Sequence, residues 1–89
     1  MNRPRYEVEL TSSAARALRK LDRPVQVRIA RAIDSLAIDP RPNGTIKLSA
    51  EDDIYRIRSG DYRIIYSIAD RRLTVLVIGI GHRRDIYRK

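Results

Sequence analysis

Arginine recurs at alternate positions in Tyr55-Arg56-Ile57-Arg58 and again in Tyr62-Arg63-Ile64-Ile65-Tyr66, two runs joined by Ser59-Gly60-Asp61. A guanidinium stays protonated and presents a planar fork of donors that matches phosphate, so arginines gathered on one surface point to anion binding. In a reaction centre they would neutralise charge on a phosphoryl group. The gathering depends on a hairpin. With Gly60-Asp61 as a two-residue turn, glycine at its first position suits a type II′ turn, whose backbone follows the twist of the flanking strands. The register follows: Arg58 opposite Arg63, Arg56 opposite Ile65, Ile57 opposite Ile64 and Tyr55 opposite Tyr66. One face then reads Tyr55, Ile57, Ile64, Tyr66, and the other carries Arg56, Arg58 and Arg63. Like charges placed directly opposite each other are destabilising unless an anion lies between them. Two readings stand: a phosphate site, or solvated arginines that stretch their stems over apolar neighbours.

A second group of chemically able residues closes the chain in Gly79-Ile80-Gly81-His82-Arg83-Arg84-Asp85-Ile86-Tyr87-Arg88. Two glycines at a strand end let the backbone bend or approach a ligand closely. An unperturbed imidazole titrates near ~6.5 and a phenol near ~10 unless positive surroundings lower it, so His82 and Tyr87 are candidate proton-transfer groups. Strand parity carries Ile78, Ile80 and His82 onto the arginine face. A lone histidine also serves as a hydrogen-bonding residue, and a lone tyrosine near a chain end as packing. Glu51, Asp52 and Asp53 could supply a carboxylate base, or simply form a turn.

The elements that must position these residues are legible from periodicity. Tyr6-Glu7-Val8-Glu9-Leu10 alternates as a half-buried strand, with Tyr6, Val8 and Leu10 on one side. Thr11 or Ser12 can cap a helix running to about Leu21, with Ala14, Leu18 and Leu21 on one stripe. Asp22-Arg23-Pro24 breaks and restarts the chain, because proline is tolerated in the first turn of a helix. A second helix buries Val25, Ile29, Ala32, Ile33 and Leu36 and ends before Asp39-Pro40, and Arg41-Pro42-Asn43-Gly44 is a loop. After the hairpin, Ala69-Asp70-Arg71-Arg72 turns the chain into a strand from Leu73 to Ile80, apolar enough to be buried on both sides. Pairing Ile68 with Leu73 sets Val75 opposite Tyr66, Val77 opposite Ile64, Leu76 beside Ile65 and Ile78 beside Arg63. The order is β-α-α-β-β-β, an α+β fold. Its two helices form a crossover that lays the first strand parallel to a neighbour and pack on one face of a small, mainly antiparallel sheet. The arginines occupy the other face.

Eighty-nine residues suit one domain, 1–89, with an open surface site rather than a deep cleft between lobes. An excess of 19 Lys+Arg over 11 Asp+Glu, a formal charge of +8, favours a polyanion, with nucleic acid as the leading class. A membrane surface is disfavoured, since no basic amphipathic helix carries Trp or Phe on its apolar side. With no Cys and a single His, disulfides and a zinc site are not expected. No run reaches signal-peptide or membrane-spanning length, so a cytoplasmic location is expected.

Over essentially all 89 residues the chain resembles the RelE/ParE superfamily of toxins from bacterial type II toxin-antitoxin pairs, within it the RelE-like messenger-RNA endonucleases. Tyr55 to Arg58, the Gly60 to Tyr66 run and Gly81-His82-Arg83-Arg84-Asp85-Ile86-Tyr87 carry the resemblance through their order and spacing. It implies a RelE-like microbial ribonuclease-type fold and cleavage of mRNA in the ribosomal A site, by attack of the substrate's own 2′-hydroxyl on the adjacent phosphate, with no metal or cofactor. It implies that Arg63 holds the phosphate, that Arg83 lies near the leaving group and that Tyr87 stacks on or activates the attacked nucleotide. Arg56 and Arg58 stand where the best-studied type has lysines. Arginine does not give up its proton, so these two are expected to clamp the transition state rather than act as bases. Tyr87 is the preferred base and His82 the next, with Lys47, Arg84 and Arg88 as further RNA contacts beside Arg56 and Arg58. The implied partners are the ribosome, mRNA and a cognate RelB-like antitoxin. That antitoxin is expected to be an acidic protein whose amphipathic helix covers basic surface and displaces the C-terminal segment in a hetero-oligomer. A gyrase-directed inhibitor of the ParE branch, which generally lacks this arginine and tyrosine set, and a non-catalytic RNA-binding module are the alternatives.

Overall fold

A computed structural model describes residues 5–49 and 53–82. Arg83, Arg84, Tyr87 and Arg88, and the pair Glu51 and Asp52, lie outside the described residues. The elements are β1 (Glu7–Leu10), α1 (Ser12–Arg19), α2 (Arg23–Ser35), β2 (Ile46–Lys47), β3 (Ile54–Ser59), β4 (Tyr62–Ala69), a 3₁₀ turn (Asp70–Arg72) and β5 (Thr74–His82). They form the expected α+β architecture, with the sheet ordered β1-β5-β4-β3-β2. β1 runs parallel to β5 and the other pairs are antiparallel. β2 was not expected, since two residues inside a loop are too short to show alternation.

Local chemistry fixes the helix ends. Thr11 Oγ1 accepts from the Ala14 amide at 3.1 Å, while the Thr11 amide donates to the Val77 carbonyl at 3.0 Å, so the cap of α1 is pinned to β5. Helix α1 stops at Arg19, short of Leu21. Pro24 sits in the first turn of α2, and Gln26 Nε2 donates to the Leu18 carbonyl, tying the two helices together. Ile29 and Ile33 of α2, Leu36 at its C-cap and Ala14 of α1 pack on Tyr55, Ile57, Ile64, Tyr66, Ile68, Val75, Val77 and Ile80 to form the core. Each large apolar side chain buried there contributes about 1.5–3 kcal/mol.

The β3–β4 hairpin has the expected register, including Arg58 opposite Arg63 and Arg56 opposite Ile65. Gly60 has φ +62 and Asp61 stays out of the positive-φ region, which is the type II′ pattern. The β4–β5 pairing differs from expectation. The 3₁₀ turn and Leu73, held left-handed at φ 51, move the four-residue connection one position along the chain, so Ala69 pairs with Thr74, Ile68 with Val75 and Tyr66 with Val77. A shift of two residues keeps the faces, but a bulge then changes them. Beyond Tyr66 the partner jumps from Val77 to Gly79, leaving Ile78 as the extra residue, and Ile64 pairs with Ile80, Arg63 with Gly81 and Tyr62 with His82. An inserted residue inverts the side on which every later side chain stands. Ile80 therefore belongs to the core at 9% exposure, and not to the arginine face. β5 is also buried on one side rather than two, with Val75 and Val77 enclosed and Ile78 exposed.

Candidate phosphate-binding face

Arg56 and Arg58 on β3 and Arg63 on β4 share the sheet face turned away from the core, because their neighbours Tyr55, Ile57 and Ile64 are buried in it. Arg56 and Arg63 are half-buried and Arg58 is exposed. The Nε atoms of Arg56 and Arg63 are sealed from solvent, so the charged heads ride on stems packed against the sheet. The bulge gives this face a feature that alternation hides. Gly79 stands opposite Ile65 and Gly81 opposite Arg63, so the β5 row beside the arginines carries no side chain. Strand backbone and a strand-bound guanidinium are thereby left adjacent, an arrangement that admits a close approach of phosphate.

Other candidate residues go elsewhere. His82 pairs with Tyr62 and meets its ring edge-on, with centroids 5.6 Å apart at 82°. The bulge has placed it in the row of Ile64 and Ile80, so the expected position on the arginine face is corrected. Lys47 pairs with Tyr55. Its ammonium lies 3.7 Å from the Asp53 carboxylate and 5.8 Å from the centre of the Tyr55 ring, so the structure does not bring it to the arginines. Arg83, Arg84, Tyr87 and Arg88 lie beyond the described residues, directly after the strand that carries Gly81 and His82.

Sequence reading missed the contacts of two arginines, Arg28 and Arg41. Arg28 of α2 reaches the hairpin tip, where a Cβ built on Gly60 would come within 2.5 Å of its Nη1; only the helix–sheet packing shows this. Arg41, read as part of a loop, makes a two-pronged pair with Asp70 at 2.9 and 3.2 Å and donates from Nε and Nη2 to the Tyr55 hydroxyl at 3.3 and 3.2 Å. Tyr6 donates to the same Asp70 carboxylate at 2.7 Å. Arg41, followed by Tyr6, holds the Asp70 carboxyl below the usual carboxylate range, and the same bonds hold the Arg41 guanidinium firmly protonated. Tyr66 donates to the Pro40 carbonyl at 2.7 Å, and its burial pushes the phenol above its ordinary value. Together these bonds seat the loop that leads into β2. Gly81, read from the sequence as a point where the backbone can approach a ligand closely, is placed opposite Arg63 by the bulge.

Among the described residues, hollows adjoin the arginines. A cleft of about 540 Å³ lies between α2, the 42–44 loop and β3, with Arg56 and Arg58 among its walls. A smaller one of about 120 Å³ lies at the hairpin tip between Arg58 and Arg63.

Residues 8–87 match the model of a family described as the ParE toxin of the type II toxin-antitoxin system parDE. The chain belongs to this RelE- and ParE-like family of toxins. It is 32% identical to the toxin RelG of Mycobacterium tuberculosis, over 94% of this chain and 98% of that protein. It is 30% identical to the mRNA interferase toxin RelE of Escherichia coli K12, over 88% of this chain and 83% of that protein. Among solved structures, the toxin-antitoxin complex RelBE2 of Mycobacterium tuberculosis contains a chain that superposes with a TM-score of 0.80 at 28% identity, covering 94% of this toxin and 98% of that chain. The fold and the family resemblance drawn from the sequence agree with these findings.

Proposed function

We propose that this toxin is an endoribonuclease that cleaves mRNA on the ribosome, without a metal, by attack of the substrate's 2′-hydroxyl on the adjacent phosphate. The observation that carries the reading is the arginine face: Arg58 directly across from Arg63, with Arg56 beside them and Gly81 opposite Arg63 on the next strand. In the reaction the 2′-oxygen–phosphorus bond forms as the phosphorus–5′-oxygen bond breaks. A base takes the 2′-hydroxyl proton, an acid gives one to the departing 5′-oxygen, and a 2′,3′-cyclic phosphate and a 5′-hydroxyl result. The phosphorane gathers negative charge on its non-bridging oxygens, and fixed guanidinium donors stabilise that charge more than they stabilise the ground state. Arg63 is assigned to the phosphate, Arg56 and Arg58 to the developing charge and Arg83 to the leaving group. Tyr87 is assigned as the base or as the surface on which the attacked nucleotide stacks. Arg84 and Arg88 are assigned to the RNA backbone. His82 points to the row shared with Tyr62, which supports Tyr87 over His82 as the base.

The name of the Escherichia coli relative, mRNA interferase toxin RelE, supports the substrate class. The RelBE2 complex supports a RelB-like antitoxin as this toxin's partner, an acidic chain whose helix covers basic surface. A cytoplasmic location goes with ribosomal work. Among the described residues no helix is long and apolar enough to cross a membrane.

Inducing the chain in bacteria and mapping the 5′ ends of cleaved transcripts, with and without translation, tests the proposal. Cuts phased to codons and dependent on translation are expected. The ParE description of the family favours a second reading, inhibition of DNA gyrase, which predicts gyrase-linked DNA breaks and intact messages.

A further inference from the structure

The pairing of β2 with β3 ends at Ile46 opposite Arg56. Beyond that point Ile57, Arg58 and Ser59 have, among the described residues, no strand on their outer side. The cleft of about 540 Å³ opens along this edge. Its walls alternate in origin, because a strand edge exposes side chains of both faces: Ile57 comes from the core side, and Arg56 and Arg58 from the arginine face. Ala32 and Ser35 of α2 close one side, and Pro42, Asn43 and Ile46 the other.

From this geometry we propose that the cleft is a nucleoside subsite, which takes one unstacked base of a single-stranded RNA whose backbone lies on the arginine face. Four observations favour this occupant. The volume lies within the range of small-molecule sites and accommodates a base with its sugar. The walls are mainly apolar, with the Asn43 amide as donor and acceptor and the Ser35 hydroxyl, which donates to the Ala32 carbonyl, as a further acceptor, groups able to read the edge of a base. Arg56 and Arg58 are among its walls, and a guanidinium can stack on a base while contacting the neighbouring phosphate. No carboxylate lines the cleft. The surface is also continuous with the arginine face, so a strand held there can turn one base around the sheet edge without leaving its phosphates. The inference rests on the RNA reading above and adds to it a position at which base identity is sensed.

Binding of fluorescent 2′-O-methyl RNA hexamers, which lack the nucleophile and stay intact, tests the subsite by anisotropy on the full chain. One abasic position is walked along the hexamer. Wild-type protein is expected to lose roughly tenfold to a hundredfold in affinity at one position and little at its neighbours. Ala32→Phe, which fills the cleft, should bind intact and abasic hexamers alike; Ser35→Leu, an exposed helix position, should reduce the difference with the fold preserved by circular dichroism. A flat abasic profile in the wild type overturns the subsite, as does a profile unchanged in folded Ala32→Phe and Ser35→Leu. A flat profile combined with weakened antitoxin binding in the same variants also overturns it and assigns the cleft to the acidic partner. Codon-phased cleavage by wild-type protein with a flat profile removes the subsite alone, whereas a position-specific profile with no cleavage removes the nuclease reading and leaves the subsite.

Discussion

Arg63 on β4 stands opposite Gly81 on β5, so the strand next to the guanidinium presents no side chain at that register position. Gly81→Val would set a branched side chain there at little cost to the strand, since β-branched residues suit extended backbone. The expected result is a folded protein with cleavage on programmed ribosomes lowered by about 10²-fold, near the loss of a preorganised charge-stabilising donor. Near-normal cleavage would show that the glycine row plays no part.

Arg63→Ala should leave the thermal transition largely in place and remove toxicity, with a loss of about 10² to 10³ in rate. Arg63→Lys should recover little, because an ammonium cannot reproduce the two-pronged fork. Growth after induction, together with single-turnover cleavage, reads both. A toxic, folded Arg63→Ala would remove this residue from the site.

Position on the arginine face, rather than total charge, should decide activity. Arg16 is exposed on α1, so Arg16→Ala should reduce ribosome association only mildly, while Arg56→Ala and Arg58→Ala should cut cleavage far more. Arg28 lies on α2 but rests against Gly60 at the hairpin tip, and Arg28→Ala is expected to fall between. Equal losses in all four, as cleaved message per unit of folded protein, would indicate diffuse electrostatics instead.

His82 and Tyr87 should separate by what each variant damages. His82→Ala removes an edge-to-face contact with Tyr62 of about 0.5–1.5 kcal/mol, so it should lower the melting temperature more than the cleavage rate. Tyr87→Ala should lower cleavage strongly, with Tyr87→Phe telling stacking from proton transfer. A limb of the pH–rate profile present in the wild type and lost in His82→Ala would return the base to His82.

Acid stability should carry the mark of Asp70. Its folded-state carboxyl is held down by Arg41 first and by Tyr6 second. The stabilisation is therefore present above the ordinary carboxylate value of about 3.9 and is lost as pH falls through the lowered one. Both side chains are well exposed, at 41% and 52%, which limits the effect to about 1 kcal/mol or less. Thermal melts from pH 7 to pH 2 should show Asp70→Asn less stable near neutrality and converging with the wild type in acid. Parallel curves would mean that the pair contributes nothing.

The hairpin and its arginines were legible in the chain because they depend on neighbours in sequence. Glycine at position 60 selects the turn, the turn sets the register, and strict alternation from Tyr55 to Tyr66 assigns the faces. Thr11 and Pro24 marked their helix starts for the same local reason. The rest depended on distant groups. The extra residue at Ile78 is a matter of how β5 meets β4, and a continuous apolar run reads the same with or without it; yet it decides that Ile80 enters the core, that His82 leaves the arginine face and that Gly81 lies beside Arg63. Strand β2 exists only because β3 offers it an edge. The bonds joining Tyr6, Arg41, Tyr55 and Asp70 link four separate segments, and no spacing in the chain announces contacts that form only when the sheet has closed around its core.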